Sequence, residues 1–346
     1  MARAPRSTKT ENKPKLLSAL EFCASVLSKE GSAYETHIGL RNNWAIAFNG
    51  IVAAGHPIDE SLTAYPNNSL LLEALSKCEE SFSLTQLDAA KLSIKSGKFK
   101  AVVPCLSPDI MQEAFPDPQI VGIDDRFKAA VEAVGVLASE NAQHVLTASV
   151  LMNGASVIST NRVMIMEHWH GLDLPPNVPL PKEFVKALVS QKKELSGFGY
   201  SNNSATFYFV DGCWMKTQLY SEAWPDVSRI IELKGNMWSI DANFFKALDA
   251  VKAFSDDGCV YSDTNLLMSH PENTGASYEV TGLPKGFVYP IKQLLMLKPF
   301  VKTIDWMANG IHDSSYCLVA YGDNSRAIIS GRAKPKHDEL DNKVPF

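Results

Sequence analysis

The chain has 346 residues, 45% of them hydrophobic and 21% charged, with a formal net charge of -5. That composition excludes a disordered chain and a uniformly basic coat, and it leaves room for two or three domains with cores of their own. No apolar run approaches the roughly 18 residues of a membrane-spanning helix.

Residues 1–14 are polar and basic with no apolar stretch behind them, so they read as a disordered arm and not as a secretory signal. Leu16, Leu20, Cys23 and Leu27 then stand at steps of four, three and four, the spacing of one apolar stripe on a helix. His37 to Ala54 is β-rich, and Leu72 with Leu75 marks a second helix. Lys91 to Val103 alternates apolar and polar residues around Ser96-Gly97, as a hairpin does. A stretch rich in Pro and Asp, Ser107 to Asp117, reads as a linker.

The same order then recurs. Phe127, Val131, Val134 and Ala138 repeat the first stripe, Val145 to Glu167 is β-rich, and Pro181 precedes a helix carrying Val185 and Leu188. Thr206 to Val210 turns at Asp211-Gly212 into Cys213 to Leu219, and a second linker falls at Ile231 to Gly235. In the third copy the stripe is Phe244, Leu248 and Val251, with Phe254 as the apolar substitute for Ser255. Val260 to Val280 is β-rich, Pro290 precedes Leu294 and Leu297, and Cys317 to Tyr321 turns at Gly322-Asp323-Asn324 into Arg326 to Ser330. Each first helix holds a small–apolar–acid triplet: Ala19-Leu20-Glu21, Ala130-Val131-Glu132 and Ala247-Leu248-Asp249.

One unit of helix, strands, helix, strands thus repeats three times. The expected fold is α+β, with helices on one face of antiparallel sheets. The divisions predicted are an arm at 1–14, repeats at 15–117, 118–233 and 234–333, and a polar tail at 334–346. The six cysteines stand far apart with no Cys-x-x-Cys pair, which suits small core residues of a reduced cytosolic protein better than a zinc site. No phosphate-loop or dinucleotide fingerprint occurs, and no cofactor is expected.

Three short motifs carry a resemblance. Ile158-Ser159-Thr160-Asn161-Arg162-Val163 is similar to a strand-and-turn motif of the bacterial DNA polymerase III beta subunits, the sliding clamps, though two residues shorter at the turn. Val178-Pro179-Leu180-Pro181-Lys182 resembles that family's second-helix start, and Trp224-Pro225-Asp226 a segment that closes its middle domain. Ser96-Gly97-Lys98 and Ser269-His270-Pro271-Glu272 are looser likenesses in the outer repeats. The chain departs from the pattern in lacking Asp-Gly-His at the turn and in ending on a polar tail, and it looks like a divergent, phage-like member.

The resemblance implies a non-enzymatic cytoplasmic ring, a head-to-tail homodimer that encircles double-stranded DNA and tethers a DNA polymerase. Helices would line the hole and sheets would form the outside. The DNA-facing candidates are Lys15, Lys77, Arg126, Lys128, Lys182, Lys186, Lys192, Lys193, Lys246, Lys252, Lys292, Lys298 and Lys302, which would attract phosphates without reading bases. Polymerase and clamp loader would dock short peptides in a groove that includes Thr160, Arg162, Val163, Pro225 and Ile230, with His144, Thr147 and Ile328 as further candidates. Edge strands at Lys98 to Cys105 and Leu266 to Ser277 would pair between subunits.

Two other readings compete. A clamp-like scaffold or clamp-mimicking regulator would keep the fold without encircling DNA. Ser190-x-x-Lys193, Tyr200-x-Asn202 and Lys216-Thr217 superficially resemble serine β-lactamase motifs but stand too close together for that architecture. His168-Trp169-His170 could set two imidazoles on one strand face, although no partner ligand stands at a telling spacing.

Overall fold

The predicted units form in order in the computed structural model, which describes residues 7–10, 13–28, 31–112, 114–272, 274–310 and 316–332. The first comprises β1 (Ser7–Thr10), α1 (Lys13–Ala24), β2 (Gly39–Arg41), β3 (Trp44–Phe48), β4 (Val52–Pro57), α2 (Asn68–Ser76), β5 (Phe82–Asp88), β6 (Lys91–Ser96) and β7 (Phe99–Pro104). The second comprises α3 (Asp125–Gly135), α4 (Val145–Ala148), β8 (Ser149–Asn153), β9 (Ser156–Thr160), β10 (Met164–Trp169), β11 (Val178–Pro181), α5 (Lys182–Ser190), β12 (Leu195–Tyr200), β13 (Ser204–Phe209), β14 (Trp214–Gln218) and α6 (Ser228–Ile231). The third comprises β15 (Trp238–Ser239), α7 (Phe244–Val251), β16 (Cys259–Asp263), β17 (Leu266–Met268), β18 (Ser277–Glu279), β19 (Val288–Pro290), α8 (Ile291–Met296), β20 (Val301–Asn309), β21 (Tyr316–Gly322) and β22 (Ser325–Ser330).

The triplets mark equivalent places. Ala19 with Leu20, Ala130 with Val131, and Ala247 with Leu248 are all fully buried, and the acid that follows each is exposed. The hairpin turns take left-handed backbone at Gly97 (φ 54°), Gly212 (φ 83°) and Asn324 (φ 48°), as tight turns demand.

Several expectations fail locally. Ser7–Thr10, expected to be disordered, pairs as β1 with β5, because the open ladder of β5 accepts it and the alternate threonines suit a strand. Val145–Ala148 is a helical turn and not strand, with Ser149 Oγ donating back to Val145 O at 2.6 Å. Phe254 is 59% exposed beyond the end of α7, so the third stripe stops at Val251. The 334–346 tail lies outside the described residues. No helix among the described residues is long and apolar enough to cross a membrane.

The chain divides into two compact units, Met1–Glu132 with Val178–Glu222, and Ala133–Asn177 with Ala223–Phe346. The first holds the sheets β1-β5-β6-β7 and β12-β13-β14-β4-β3-β2. The second holds β18-β17-β16-β19 and a long sheet whose strands in this unit run β8-β9-β10-β22-β21-β20-β15.

A pairing rule runs through these orders. The last strand of the first repeat's early set, β4, pairs with the last hairpin strand of the second repeat, β14. Likewise β10 of the second repeat pairs with β22 of the third. A leading segment also pairs with the first strand after the second helix each time: β1 with β5, Val121 with Phe198 of β12, and β15 with β20.

Polar residues are used sparingly inside. Asp117 is 7% exposed and accepts hydrogen bonds from Thr206 Oγ1 (2.9 Å), Ser204 Oγ (3.0 Å) and Lys216 Nζ (3.1 Å). Burial alone would raise its pKa, but those three bonds together hold the carboxyl below its ordinary value.

Candidate binding groove and basic helix faces

The groove is built on one face of the second unit's long sheet. Ile165 of β10 stands opposite Ile328 of β22, and Ile328 opposite Val319 of β21, so three adjacent strands present apolar side chains together. Ile231 packs on this floor, and Val227, Ile230 and Leu233 flank it as partly buried neighbours. Their spacing is that of one helical face, which α6 supplies for a single turn. Trp224 anchors the segment, donating from Nε1 to Ser149 Oγ at 2.8 Å.

The turn from β9 to β10 forms the rim. Asn161 Oδ1 accepts from the backbone N–H groups of Val163 (3.1 Å) and Met164 (2.9 Å), and Thr160 Oγ1 donates to Met164 O at 2.7 Å. This closure forces Arg162 into left-handed backbone at φ 72°, at a cost of roughly 1–2 kcal/mol for a non-glycine residue. The shortened turn thus places a strained arginine beside the groove.

A pocket of about 390 Å³ results, lined by Leu146, Thr160, Arg162, Val163, Met164, Ile165, Val227, Ile230, Leu233, Gly310, Tyr316, Cys317, Ile328 and Ser330. Five of the candidates from sequence lie here: Thr160, Arg162, Val163, Ile230 and Ile328. Pro225 lines instead a neighbouring cavity of about 630 Å³ with Trp224, Glu167 and Arg326. His144 and Thr147 flank the pocket lining without joining it; Leu146 is the contribution of α4, because successive helical residues point about 100° apart. Among the lining residues that sequence reasoning missed are Val227, Leu233, Tyr316 and Cys317. The helical step from Val227 to Ile230 was a usable signal for the first two.

The basic candidates fall into different settings. Lys77, Lys192, Lys246 and Lys292 are exposed and make no ion pair among the described residues. Lys182 is half-buried and Lys186 exposed, both on α5. Lys15 pairs with Asp59 (2.6 Å) and Arg126 with Asp124 (2.8 Å). Lys252 and Lys298 share Asp249, at 3.1 and 3.9 Å. Lys128 is only 15% exposed and donates to the carbonyls of Gln191 and Lys193, so it joins α3 to the residues after α5. Lys193 is tied to Asp211. Lys302 stands on β20, not on a helix, and pairs with Asp323 in the adjacent turn. A helix-face role is therefore withdrawn for Lys302, because the chain there has already entered the sheet. His168 donates to or accepts from Ser325 Oγ at 2.6 Å, and His170 is buried; the two belong to no metal-ligand cluster among the described residues.

The fold defined by these repeats is that of the DNA sliding clamps. No protein-family model matches the sequence, and no curated protein matches it. Solved structures similar to this chain include bacterial DNA polymerase III beta subunits. The C. crescentus beta sliding clamp shares 14% identity at TM-score 0.77, covering 95% of this chain and 100% of that one. The DNA polymerase III subunit beta of Pseudomonas aeruginosa shares 12% at TM-score 0.74, over 95% and 100% of the two chains. The Helicobacter pylori beta clamp bound to a DNA ligase peptide shares 13% at TM-score 0.70, again over 95% and 100%.

Proposed function

We propose that this chain is a DNA sliding clamp: two copies close head to tail around duplex DNA and hold the replicative polymerase and its loader through peptides seated in the Thr160–Ile328 groove. One observation carries this reading. The rule that pairs β4 with β14 and β10 with β22 leaves one strand of each kind over, β18 and β7. Both are terminal strands of their sheets. A second copy satisfies both edges at once, and unpaired edges are otherwise aggregation sites. The free edge of the third repeat is β18, Ser277–Glu279; Leu266–Met268 is β17, paired on both sides.

The three-domain division at 15–117, 118–233 and 234–333 follows from the same repetition. Six units in a ring would bring the repeated helices, with Lys182, Lys186, Lys246 and Lys292 on them and Lys77 and Lys192 just past their C-terminal ends, toward the phosphates. Loose, salt-screened attraction there would allow sliding. The ligase peptide bound by the Helicobacter pylori clamp supports a peptide occupant for the apolar groove here.

Size and topology test the proposal. A ring requires a stable species near twice 38.0 kDa. Once loaded, it must stay on nicked circular DNA and slide off after linearisation, and it must raise polymerase processivity. A monomer released equally from both DNA forms would favour the scaffold reading instead.

A further inference from the structure

A second cluster of reactive side chains lies in the first unit, on the sheet face under α1. In the ladder of β14 with β4, Trp214 pairs with Gly55. Cys213 immediately precedes β14 and His56 follows Gly55 on β4, so continuing that antiparallel register brings the two side by side. Asp211, two residues earlier in the turn, folds onto the same face. Cys213 Sγ lies 2.9 Å from Asp211 Oδ1, and Asp211 Oδ2 lies 3.6 Å from His56 Nε2. One ligand atom from each of the three can be chosen so that all lie within 4.8 Å of one another.

The imidazole is already oriented. His56 Nδ1 lies 2.9 Å from Pro57 O, so Nδ1 carries the hydrogen and the Nε2 lone pair faces the cluster. A carbonyl on the far nitrogen is the arrangement by which proteins fix metal-ligating histidines. Phe22 walls the site, its ring 5.8 Å from that of His56. The position between imidazole and carboxylate holds a cation now: Lys193 Nζ is 3.3 Å from His56 Nε2 and ion-paired with Asp211. His56 and Cys213 are buried while Asp211 is 41% exposed, which opens a way in from solvent.

We propose that His56, Asp211 and Cys213 bind a thiophilic divalent cation of the zinc class, which displaces the Lys193 ammonium. Imidazole nitrogen, carboxylate oxygen and thiolate sulfur leave one tetrahedral position for water, a donor set that suits zinc and disfavours magnesium or calcium. Binding releases the Cys213 thiol proton to solvent and swings the Lys193 side chain outward. It clasps the β13–β14 turn to the end of β4.

Cobalt(II) titrated into the reduced, untagged full chain tests this, since a thiolate ligand gives sulfur-to-cobalt charge-transfer absorption. The band is expected to saturate at one equivalent and to be bleached by zinc. Folded Cys213→Ser should lose it, and His56→Gln should bind about tenfold more weakly or worse. Lys193→Gln removes the competing ammonium and should bind several-fold tighter, a readout that does not depend on the stability of the cysteine variant. Absence of a saturable thiolate band in the unmodified chain, its persistence in Cys213→Ser, or weaker binding by Lys193→Gln would overturn the assignment.

Discussion

Glu167 on β10 and Arg326 on β22 are opposite residues of one ladder and also an ion pair, with the guanidinium Nη2 2.5 Å from the carboxylate. The side chains are only 8% and 17% exposed. Ser156 Oγ donates to the other carboxylate oxygen at 2.7 Å, and the Trp169 ring lies 5.1 Å from the guanidinium. The pair bridges strands from the second and third repeats, so it fixes the register that brings Ile165 beside Ile328 in the groove. Arg326→Met leaves a buried carboxylate without its cation. It should cost roughly 3–5 kcal/mol, read as a lowered urea midpoint. The double variant Glu167→Leu with Arg326→Met should recover most of that loss.

At the groove, binding can be separated from folding. Val163 is half-buried at the rim, while Ile328 is 5% exposed in the floor. Val163→Asp should therefore leave the melting temperature nearly unchanged. It should weaken a fluorescent clamp-binding peptide by about 10-fold or more, since Val163 lines the apolar pocket and a carboxylate there would be buried unpaired against a bound apolar side chain. Ile328→Ala should reduce both. Equal affinity of Val163→Asp and the parent chain would remove the groove from the partner-binding surface.

The order of elements was legible because the stripe at Leu20, Val131 and Leu248 needs only helical periodicity and burial, and the structure buries all three. The hairpins were legible from Gly97, Gly212 and Asn324, whose turns require positive φ. The pairing rule was not, because β4 meets β14 and β10 meets β22 across long separations that no local pattern encodes. The groove was half legible: Thr160, Arg162 and Val163 sit in a contiguous motif, whereas Tyr316 and Cys317 reach the pocket only through tertiary pairing. The cation cluster was invisible for the same reason, with His56 and Cys213 brought together by the ladder.

The DNA prediction rests on lysines without carboxylate partners. Lys246 and Lys292 are exposed and make no ion pair among the described residues, whereas Lys302 is neutralised by Asp323. Charge reversal at Lys246 or Lys292 should shorten retention on nicked circular DNA. It should also lower the salt dependence of that retention, by about one unit of log–log slope for each phosphate no longer neutralised. Lys302→Glu should leave both unchanged. A uniform effect of all three would point to net charge and not to a helix face.

Asp117 supplies the pH prediction. Its lowered pKa means the folded state favours the carboxylate more than the unfolded chain does. The stability it contributes is therefore present above the unfolded value, about 4, and is lost as pH falls through the lower folded value. Burial opposes ionisation at Asp211 and Asp257 too, and hydrogen bonds to their carboxylates outweigh it, so acid unfolding will not belong to Asp117 alone. The comparison that isolates it is Asp117→Asn. At neutral pH the variant leaves Lys216, 15% exposed, without its counter-charge. It should lose roughly 3 kcal/mol there. Below about pH 4 the gap between parent and variant should narrow, because protonation removes from the parent the charge that the variant already lacks. Urea unfolding across the acid range measures this. A gap that stays constant with pH would show that the Asp117 network holds the linker by shape and hydrogen bonding alone, without its charge.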